Sequence, residues 1–294
     1  MKPSKLGRPS QLWTSGTANS WSGGPQEGVL RITWSMPVEN VFAWPERIEG
    51  AVSLTYDDGL PIHYTVVDPL LRECSLRATF YPMIQSDLQL HPERWRELAA
   101  VGHELGNHTV FHPCRQSLTN PDPRLGELYD LSRYTTEQLR AELEVANLVL
   151  HLLDGQSERT FGNTCCNTTL GSAAMEQSFE PLLAESFLAA RGSLTNRIAR
   201  PAQDINLFNI GCIDAAGRSL EDLKDLIEQT RACSGWAILM IHGVGADTYH
   251  LYLETDVHEH FIHWLAQQQA IWTAPVRVLA RYIKEHIRPA GQPE

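Results

Sequence analysis

The chain has 294 residues, of which 43% are apolar, 24 are basic and 35 are acidic, so its formal net charge is −11. This length and apolar content support a substantial packed core, in one large domain or two smaller ones. No run of lysine and arginine could follow a phosphate backbone, so we expect neither nucleic acid nor an anionic membrane surface as a partner. No apolar segment reaches the roughly 18 residues needed to span a bilayer.

The N-terminal residues carry positive charge, but no apolar stretch of about 7–15 residues follows them, so we predict no secretory signal and a cytoplasmic location. Six cysteines stand at positions 74, 114, 165, 166, 212 and 233, with no C-x-x-C spacing. In a chain of this size that pattern favours reduced, buried thiols over a disulfide framework. Nothing in the sequence indicates an oligomeric state.

Residues 1–27 are rich in Gly, Ser and Pro and lack periodicity, which predicts an irregular N-terminal arm. No linker of similar composition interrupts the rest of the chain, so residues 28–294 are interpreted as a single domain. Five apolar runs predict strands: GAVSLTY (50–56), HELGNH (103–108), ESFLAARG (185–192), WAILMIHGVG (236–245) and IWTAPV (271–276). Five amphipathic stretches predict helices, at 92–102, 135–155, 219–235, 258–269 and 276–287. This alternation predicts an α/β fold with a parallel sheet, either a barrel or an open doubly wound sheet.

Polar residues follow three of the predicted strands. Asp57 and Asp58 follow AVSLTY, and His108 and His112 follow HELGN, while His242 follows WAILMI. In parallel α/β proteins such strand ends share one edge, where reactive side chains collect. Two adjacent acids before a glycine are by themselves typical of a solvated turn. A bound divalent cation would instead make these carboxylates ligands.

Two histidines and a carboxylate form a ligand set suited to Zn²⁺ and to other first-row ions, and three protein ligands leave positions open for water and substrate. Pro113 disfavours right-handed helical backbone at His112, so a loop or a single turn is expected there. His242 precedes two glycines in GVG, and an imidazole titrates near neutral pH, so it is a candidate general acid.

Together, the segments SLTYDDG, HELGNHTVFH and ILMIH resemble the first, second and fifth motifs of the polysaccharide deacetylases, the carbohydrate esterase family 4 or NodB homology group. Their order and separations also fit, and the resemblance extends over about residues 48–284. It implies an α/β fold of the NodB type, a distorted (β/α) barrel of about seven parallel strands.

The resemblance also implies roles for individual residues. Asp57 matches the catalytic base and His242 the catalytic acid. The implied metal ligands are three: Asp58, His108 and His112. The implied cofactor is a divalent metal, most readily Zn²⁺, with Co²⁺ and Ni²⁺ as alternatives. Leu239, three residues before His242, matches a position that lines the pocket for the acetyl methyl group.

The third motif of the family, usually R-x-P-[YF], falls near TFGNTCCNTTLG (160–171), which contains neither arginine nor proline. That arginine orients the base aspartate, and Arg191 is the candidate replacement. Asn163 and Arg191 join Leu239 as candidate substrate-binding residues. The fourth motif is not visible, although Asp204 could supply its acid.

These features imply a metal-dependent hydrolase that removes N-linked acetyl groups from a saccharide of the chitin, chitooligosaccharide or peptidoglycan type and releases acetate. The expected partner is therefore a carbohydrate. Two alternatives keep the same metal site: an acetyl esterase acting on acetylated xylan, and a C–N hydrolase acting on a small amide or imide. A binding protein that kept the fold and lost activity is disfavoured, because all five expected catalytic and metal residues are present.

Overall fold

The computed structural model describes residues 40–116, 126, 128–203 and 205–289. The predicted N-terminal arm, residues 1–27, lies outside these residues. Within them, one main sheet has eight strands: β1 (Gly50–Asp57), β2 (Thr79–Tyr81), β3 (Glu104–Leu105), β4 (Phe161–Gly162), β5 (Ala190–Leu194), β6 (Ile210–Asp214), β7 (Trp236–Ile241) and β8 (Ile271–Thr273). Three short strand pairs lie outside the main sheet: Asn40–Val41 with Arg288–Pro289, Thr169–Leu170 with Gln177–Ser178, and Gly243–Val244 with Tyr252–Leu253.

Helices alternate with the strands along the chain. They are α1 (Asp68–Glu73), α2 (Asp87–Leu90), α3 (Pro92–Ala100), α4 (Thr136–Asp154), α5 (Glu180–Ser186), α6 (Leu220–Ala232), α7 (Thr255–Leu265) and α8 (Val276–His286). A π-helical turn at His63–Val67 and 3₁₀ turns at Leu131–Arg133 and Thr164–Cys166 complete the helical segments. None of the described helices combines the length and the apolar character that crossing a bilayer requires.

The main sheet curves into a distorted barrel. Seven strands follow the order β3-β2-β1-β7-β6-β5-β4, and every neighbouring pair is parallel. A parallel bridge between Asn107 and Phe161 joins the two end strands: the Asn107 amide donates to the Thr160 carbonyl at 2.9 Å, and the Gly162 amide donates to the Asn107 carbonyl at 2.9 Å. β8 pairs with the first half of β1, beside β2. The prediction of a distorted barrel of parallel strands is confirmed.

β1 is buried along its whole length because both of its faces are covered. Val52, Leu54 and Tyr56 pack into the cluster shared with the surrounding helices. Thr55 and Asp57, on the other face, contact Arg191 inside the barrel. The alternation of two faces along a strand therefore directs the apolar set outward and places polar groups in the barrel interior.

The helix patterns are confirmed in detail at α4. Thr135 Oγ1 accepts from the Gln138 amide at 3.2 Å, and Gln138 Oε1 accepts from the Thr135 amide at 2.8 Å, which forms a capping box. Gly155 ends the helix in the left-handed region with φ 68°. The predicted apolar stripe is buried, at Leu139, Leu143, Ala146 and Leu150.

Two sequence-based expectations, one about a strand and one about the cysteines, differ from the structure. The predicted strand at 185–192 begins only at Ala190, because α5 starts with Pro181 in its first turn, buries Leu182 and Leu183, and extends to Ser186. The prediction that all cysteines are reduced is wrong for Cys114 and Cys165, which form a disulfide with a Cα–Cα distance of 5.7 Å. The two cysteines are 51 residues apart in sequence, and their loops follow β3 and β4, which the Asn107–Phe161 bridge brings together. Four cysteines are free, at positions 74, 166, 212 and 233.

Candidate active site

The adjacent carboxylates of Asp57 and Asp58 are separated by a sharp change of backbone conformation. Asp57 ends β1, whereas Asp58 and Gly59 both lie in the left-handed region with φ 71°. A side chain at position 59 would collide with Ser86, so the turn needs a glycine for space as well as for conformation. Asp57 therefore points into the barrel, while Asp58 faces the loop that follows β3.

That loop brings His108 and His112 together without a helix, which confirms the expectation of a loop or single turn. Asn107 Oδ1 accepts from the Thr109 amide at 2.8 Å, and Thr109 Oγ1 accepts from the His112 amide at 2.9 Å. Thr109 and His112 adopt left-handed conformations with φ 65° and 56°. These local bonds bring the rings of His108 and His112 to a centroid distance of 4.8 Å.

The two imidazoles converge on Asp58. Its Oδ1 lies 3.3 Å from His112 Nε2 and 3.5 Å from His108 Nε2. Asp58 Oδ1 and His108 Nε2 are buried, and neither has a hydrogen-bond partner in the described part of the chain. His108 Nδ1 donates to the Gly162 carbonyl at 2.7 Å, which leaves the lone pair of a neutral ring on Nε2. These three groups could hold a divalent cation, because their ligand atoms all lie within 4.8 Å of one another.

The surroundings hold these groups in the protonation states that a cation needs. Burial by itself would raise the pKa of Asp58, but the imidazoles of His108 and His112 beside it hold that pKa well below its usual range. Burial and the neighbouring His108 lower the pKa of His112 to about 4. At neutral pH the carboxylate is therefore ionised and the His112 ring is neutral.

Asp57 forms a buried, bidentate ion pair with Arg191 from β5. The guanidinium donates to the two carboxylate oxygens at 2.9 and 2.6 Å, and also to Thr55 Oγ1 at 3.1 Å. Burial by itself would raise the pKa of Asp57, but Arg191 together with His108 and His242 outweighs burial, and the pKa is lowered. A Cβ at Gly162 would approach the guanidinium to 3.1 Å, so the glycine leaves room for it. Arg191 is 0% exposed, so it holds Asp57 from inside the barrel. It does not line a surface for substrate, in contrast to the sequence-based expectation.

His242 directly follows β7 and lies near Asp57. Its Nε2 lies 4.0 Å from Asp57 Oδ2. The Tyr249 ring stacks on the imidazole with a centroid distance of 5.4 Å and an interplanar angle of 6°. His63 Nε2 donates to the His242 carbonyl at 2.9 Å, which fixes the backbone behind the ring. Asp57 Oδ2 thus lies 4.0 Å from the imidazole of His242 and 4.0 Å from that of His108.

These groups open into a cavity of about 470 Å³, which is in the range of small-molecule sites. Asn163 lines it, and the Cys114–Cys165 disulfide forms part of its wall. Leu239 does not line it: this residue packs into the outer core, and Met240 lines the cavity instead. The reason is the two-residue period of a strand, which places position 240, not 239, on the face of His242.

Two further residues at this cavity were missed by sequence reasoning. Asp214 ends β6 and lines the cavity, so it carries the same signal, an acid at a strand end, that identified Asp57. Tyr249 comes from a loop with no pattern that indicates a site. Asp204, the candidate for the fourth motif, lies outside the described residues. A larger cleft of about 780 Å³ is lined by residues between Thr195 and Cys233, and none of them is a candidate catalytic or metal-binding residue.

Comparison with known proteins finds similarity over the segment that contains Asp57, Asp58, His108 and His112. Residues 45–164 match the family model described as polysaccharide deacetylase. A gellan lyase from Bacillus sp. is 27% identical over 181 residues, which cover 62% of this chain and 6% of that protein. A peptidoglycan-N-acetylglucosamine deacetylase from Bacillus cereus is 36% identical over 83 residues, which cover 28% of this chain and 34% of that protein. The chain thus spans at most about a third of the length of either relative.

A solved structure agrees with the fold. It comes from Mycobacterium smegmatis and is provisionally named a polysaccharide deacetylase. The two structures superpose with a TM-score of 0.60 at 17% sequence identity, and the superposition covers 88% of this chain and 99% of the other. At this identity the likeness supports the fold, while the family model matches the segments that carry Asp57, Asp58, His108 and His112. The matched segment and the barrel together show that this chain is similar to polysaccharide deacetylases, in sequence over residues 45–164 and in the fold of the barrel.

Proposed function

We propose that the protein is a metal-dependent hydrolase that removes the N-linked acetyl group from an N-acetylated saccharide and releases acetate. The observation that carries the proposal is the pair of buried, unpartnered atoms, Asp58 Oδ1 and His108 Nε2, beside the neutral ring of His112. A structural cluster would satisfy such atoms with hydrogen bonds. The Bacillus cereus relative, whose name states that it deacetylates N-acetylglucosamine of peptidoglycan, supports the substrate class.

Asp58, His108 and His112 would hold the divalent cation, which is Zn²⁺ in this proposal, with Co²⁺ and Ni²⁺ as alternatives. When bound, such a cation polarises the acetyl carbonyl and lowers the pKa of a water molecule beside it. The protein contributes a fixed orientation, because the Gly162 carbonyl holds the His108 ring by its Nδ1.

Asp57 would act as the general base toward the attacking water. Its carboxylate keeps lone pairs free after it accepts from Arg191, and its Oδ2 faces the space between His108 and His242. The lowered pKa keeps Asp57 ionised at neutral pH but also makes it a weak base. Proton removal is therefore effective only for a water whose own pKa has been lowered, which explains why the base and the cation site lie one residue apart.

His242 would protonate the leaving amine. An amine departs poorly as an anion, so cleavage of an amide depends strongly on a proton donor at this position. The Tyr249 ring and the hydrogen bond from His63 to the His242 carbonyl hold the imidazole in place. Met240 and Asn163 line the cavity. In this proposal they contact the acetyl group and the sugar.

The proposal is tested by acetate release from N-acetylated chitooligosaccharides and peptidoglycan fragments, with metal analysis of the same preparation. Asp57→Asn should lower turnover by about a thousandfold, within the range for loss of a general base, and keep its metal content. The matched variant, Asp58→Asn, should lose both metal and turnover. Wild-type turnover by Asp57→Asn would overturn the assignment of the base.

His242→Asn distinguishes amide from ester hydrolysis. We expect about a hundredfold or greater loss on the N-acetyl substrate but a much smaller loss on 4-nitrophenyl acetate, whose leaving group needs no proton. Equal losses on both would contradict the role of His242 as the acid. Acetylated xylan and a cyclic imide, assayed beside the chitooligosaccharides, test the two alternative functions: turnover of only one of them would replace the proposed substrate class.

A further inference from the structure

The disulfide between Cys114 and Cys165 lies directly beside the proposed metal ligands. Cys114 follows His112 by two residues, and its Sγ lies 3.5 Å from His112 Nδ1. Cys114 is buried, whereas Cys165 is exposed, and both line the cavity that contains Asp57 and Asp58. Because Cys165 is exposed at this cavity, a small reductant can reach the bond.

The His112 ring faces two different sets of groups. Its Nε2 lies 3.3 Å from Asp58 Oδ1, and its Nδ1 lies 3.5 Å from Cys114 Sγ. A neutral imidazole has one lone pair, on one of its two nitrogens. His112 can therefore serve the set that contains Asp58 or a set that contains Cys114, but not both at once.

We propose that reduction of the disulfide creates a second metal site, formed by His112, Cys114 and Cys165, that competes with the catalytic set for His112. The ligand atoms of these three residues already lie within 4.8 Å of one another. Two thiolates and one imidazole form a soft ligand set, which favours Zn²⁺ over harder cations. The inference rests on the proposed function, because His112 is also a ligand of the proposed catalytic cation.

The chemistry balances with a dithiol reductant. The Sγ–Sγ bond between Cys114 and Cys165 breaks, the reductant supplies two electrons and two protons, and it leaves as its own cyclic disulfide. Two thiols result. When they bind the cation, each thiol releases its proton to solvent and the sulfur donates its electron pair.

The two loops are also tied together by hydrogen bonds that do not depend on the disulfide. Thr164 Oγ1 donates to the Pro113 carbonyl, and the Arg115 amide donates to Asn167 Oδ1 at 2.8 Å. The thiols should therefore stay close to each other after reduction. With His112 engaged through Nδ1, the catalytic set would keep only Asp58 and His108, so reduction should lower deacetylation by about tenfold or more.

Cobalt reports directly on the ligands. The full chain is loaded with one equivalent of Co²⁺, either oxidised or after reduction with a phosphine that is then removed without air. We expect an intense thiolate-to-cobalt absorption band in the near ultraviolet only after reduction. Asp58→Asn should keep this band, whereas the double variant Cys114→Ser/Cys165→Ser should lack it while Cys166 and Cys212 remain.

A reduced wild-type protein without the band, or a double variant that shows it, would overturn the inference. X-ray absorption on the reduced, zinc-loaded wild type needs no variant: sulfur neighbours at about 2.3 Å support the second site, and nitrogen and oxygen neighbours alone contradict it. Failure of the proposed function has a different signature, since the oxidised protein would then bind no Co²⁺ and release no acetate.

Discussion

Two buried carboxylates in this barrel, Glu104 and Asp58, have opposite surroundings. Glu104 accepts four hydrogen bonds, from Thr79 Oγ1 at 2.8 Å, from the Thr160 amide and hydroxyl at 3.0 and 2.7 Å, and from the Arg277 amide at 2.9 Å. It connects β2, β3 and the residue before β4 with the first turn of α8. Every donor is positioned by the fold, so this acid ties three neighbouring strand segments to the start of α8.

Asp58 is as deeply buried, at 5% exposure against 1% for Glu104, but its Oδ1 has no hydrogen bond within the described chain. Its neighbours are the Nε2 atoms of His108 and His112. Glu104 is surrounded by donors, whereas Asp58 is surrounded by groups that can themselves provide lone pairs. The difference teaches that burial alone does not identify a functional acid; the lack of protein donors around it does.

The largest expected effect is the loss of acetate release on substitution of Asp58, which should distinguish it from Glu104. Asp58→Asn should lower acetate release by about a thousandfold or more, equivalent to about 4 kcal/mol, because the cation loses its anionic ligand. The metal-free variant should be less stable than the metal-free wild type at neutral pH, because the lowered pKa of Asp58 means that the fold favours its ionised form. Acetate assays, metal content and urea unfolding measure the three quantities. A variant with full metal occupancy would remove Asp58 from the ligand set.

Arg191→Met should destabilise the protein by about 3–5 kcal/mol in urea unfolding, because it leaves Asp57 charged and unpaired in the barrel. Asp57 differs from Asp58 in having this partner. The double variant Arg191→Met/Asp57→Asn should recover part of the lost stability. A double variant no more stable than Arg191→Met alone would show that the guanidinium acts mainly by packing against Tyr81.

Glu104→Gln should lower the unfolding free energy by roughly 1–3 kcal/mol, since the amide nitrogen of glutamine faces donors that it cannot satisfy. Metal content and turnover per folded molecule should stay at the wild-type level, because the hydrogen-bond donors of Glu104 do not line the cavity. Unfolding curves with metal analysis check both parts. Loss of metal at unchanged stability would reverse the contrast between the two acids.

The smallest effect concerns pH. Burial lowers the pKa of His258, which hydrogen-bonds Tyr56, to about 4, while an unfolded histidine titrates near 6.5. Between about pH 6.5 and pH 4 the unfolded chain therefore binds more protons than the folded chain. The contribution of His258 to stability is fully present above this window and is lost as the pH falls through it.

His258→Gln should reduce the slope of the unfolding free energy against pH by roughly 1 kcal/mol per pH unit inside that window. Above pH 7 the slope should be the same as in the wild type. The pKa of His112 is lowered as well, but His112 is a proposed metal ligand. Added Zn²⁺ should therefore raise the unfolding free energy and leave the pH dependence that His258 contributes unchanged. Unfolding free energies at several pH values, with and without Zn²⁺, measure both. An identical pH dependence of variant and wild type would contradict the buried, neutral state of His258.

Much of this protein could be predicted from local sequence. Strand and helix periodicity, the cap at Thr135 and the terminating Gly155 predicted α4 almost to the residue. Asp57, Asp58, His108, His112 and His242 were identifiable because each follows an apolar run, and parallel strands bring such positions to one edge. These signals depend on neighbours within a few residues, so a single sequence contains them.

The remaining features depend on contacts between distant segments. The pairing of Arg191 with Asp57 joins residues 134 apart, and the disulfide joins residues 51 apart. Sequence suggested Arg191 as a candidate, but only the register of β5 against the barrel interior brings its guanidinium to the carboxylate. Likewise the facing direction of β7 decides that Met240, and not Leu239, borders the cavity. Residue types and strand ends determined which chemistry was available, whereas the closure of the barrel decided which groups meet, because that closure sets the distances between segments.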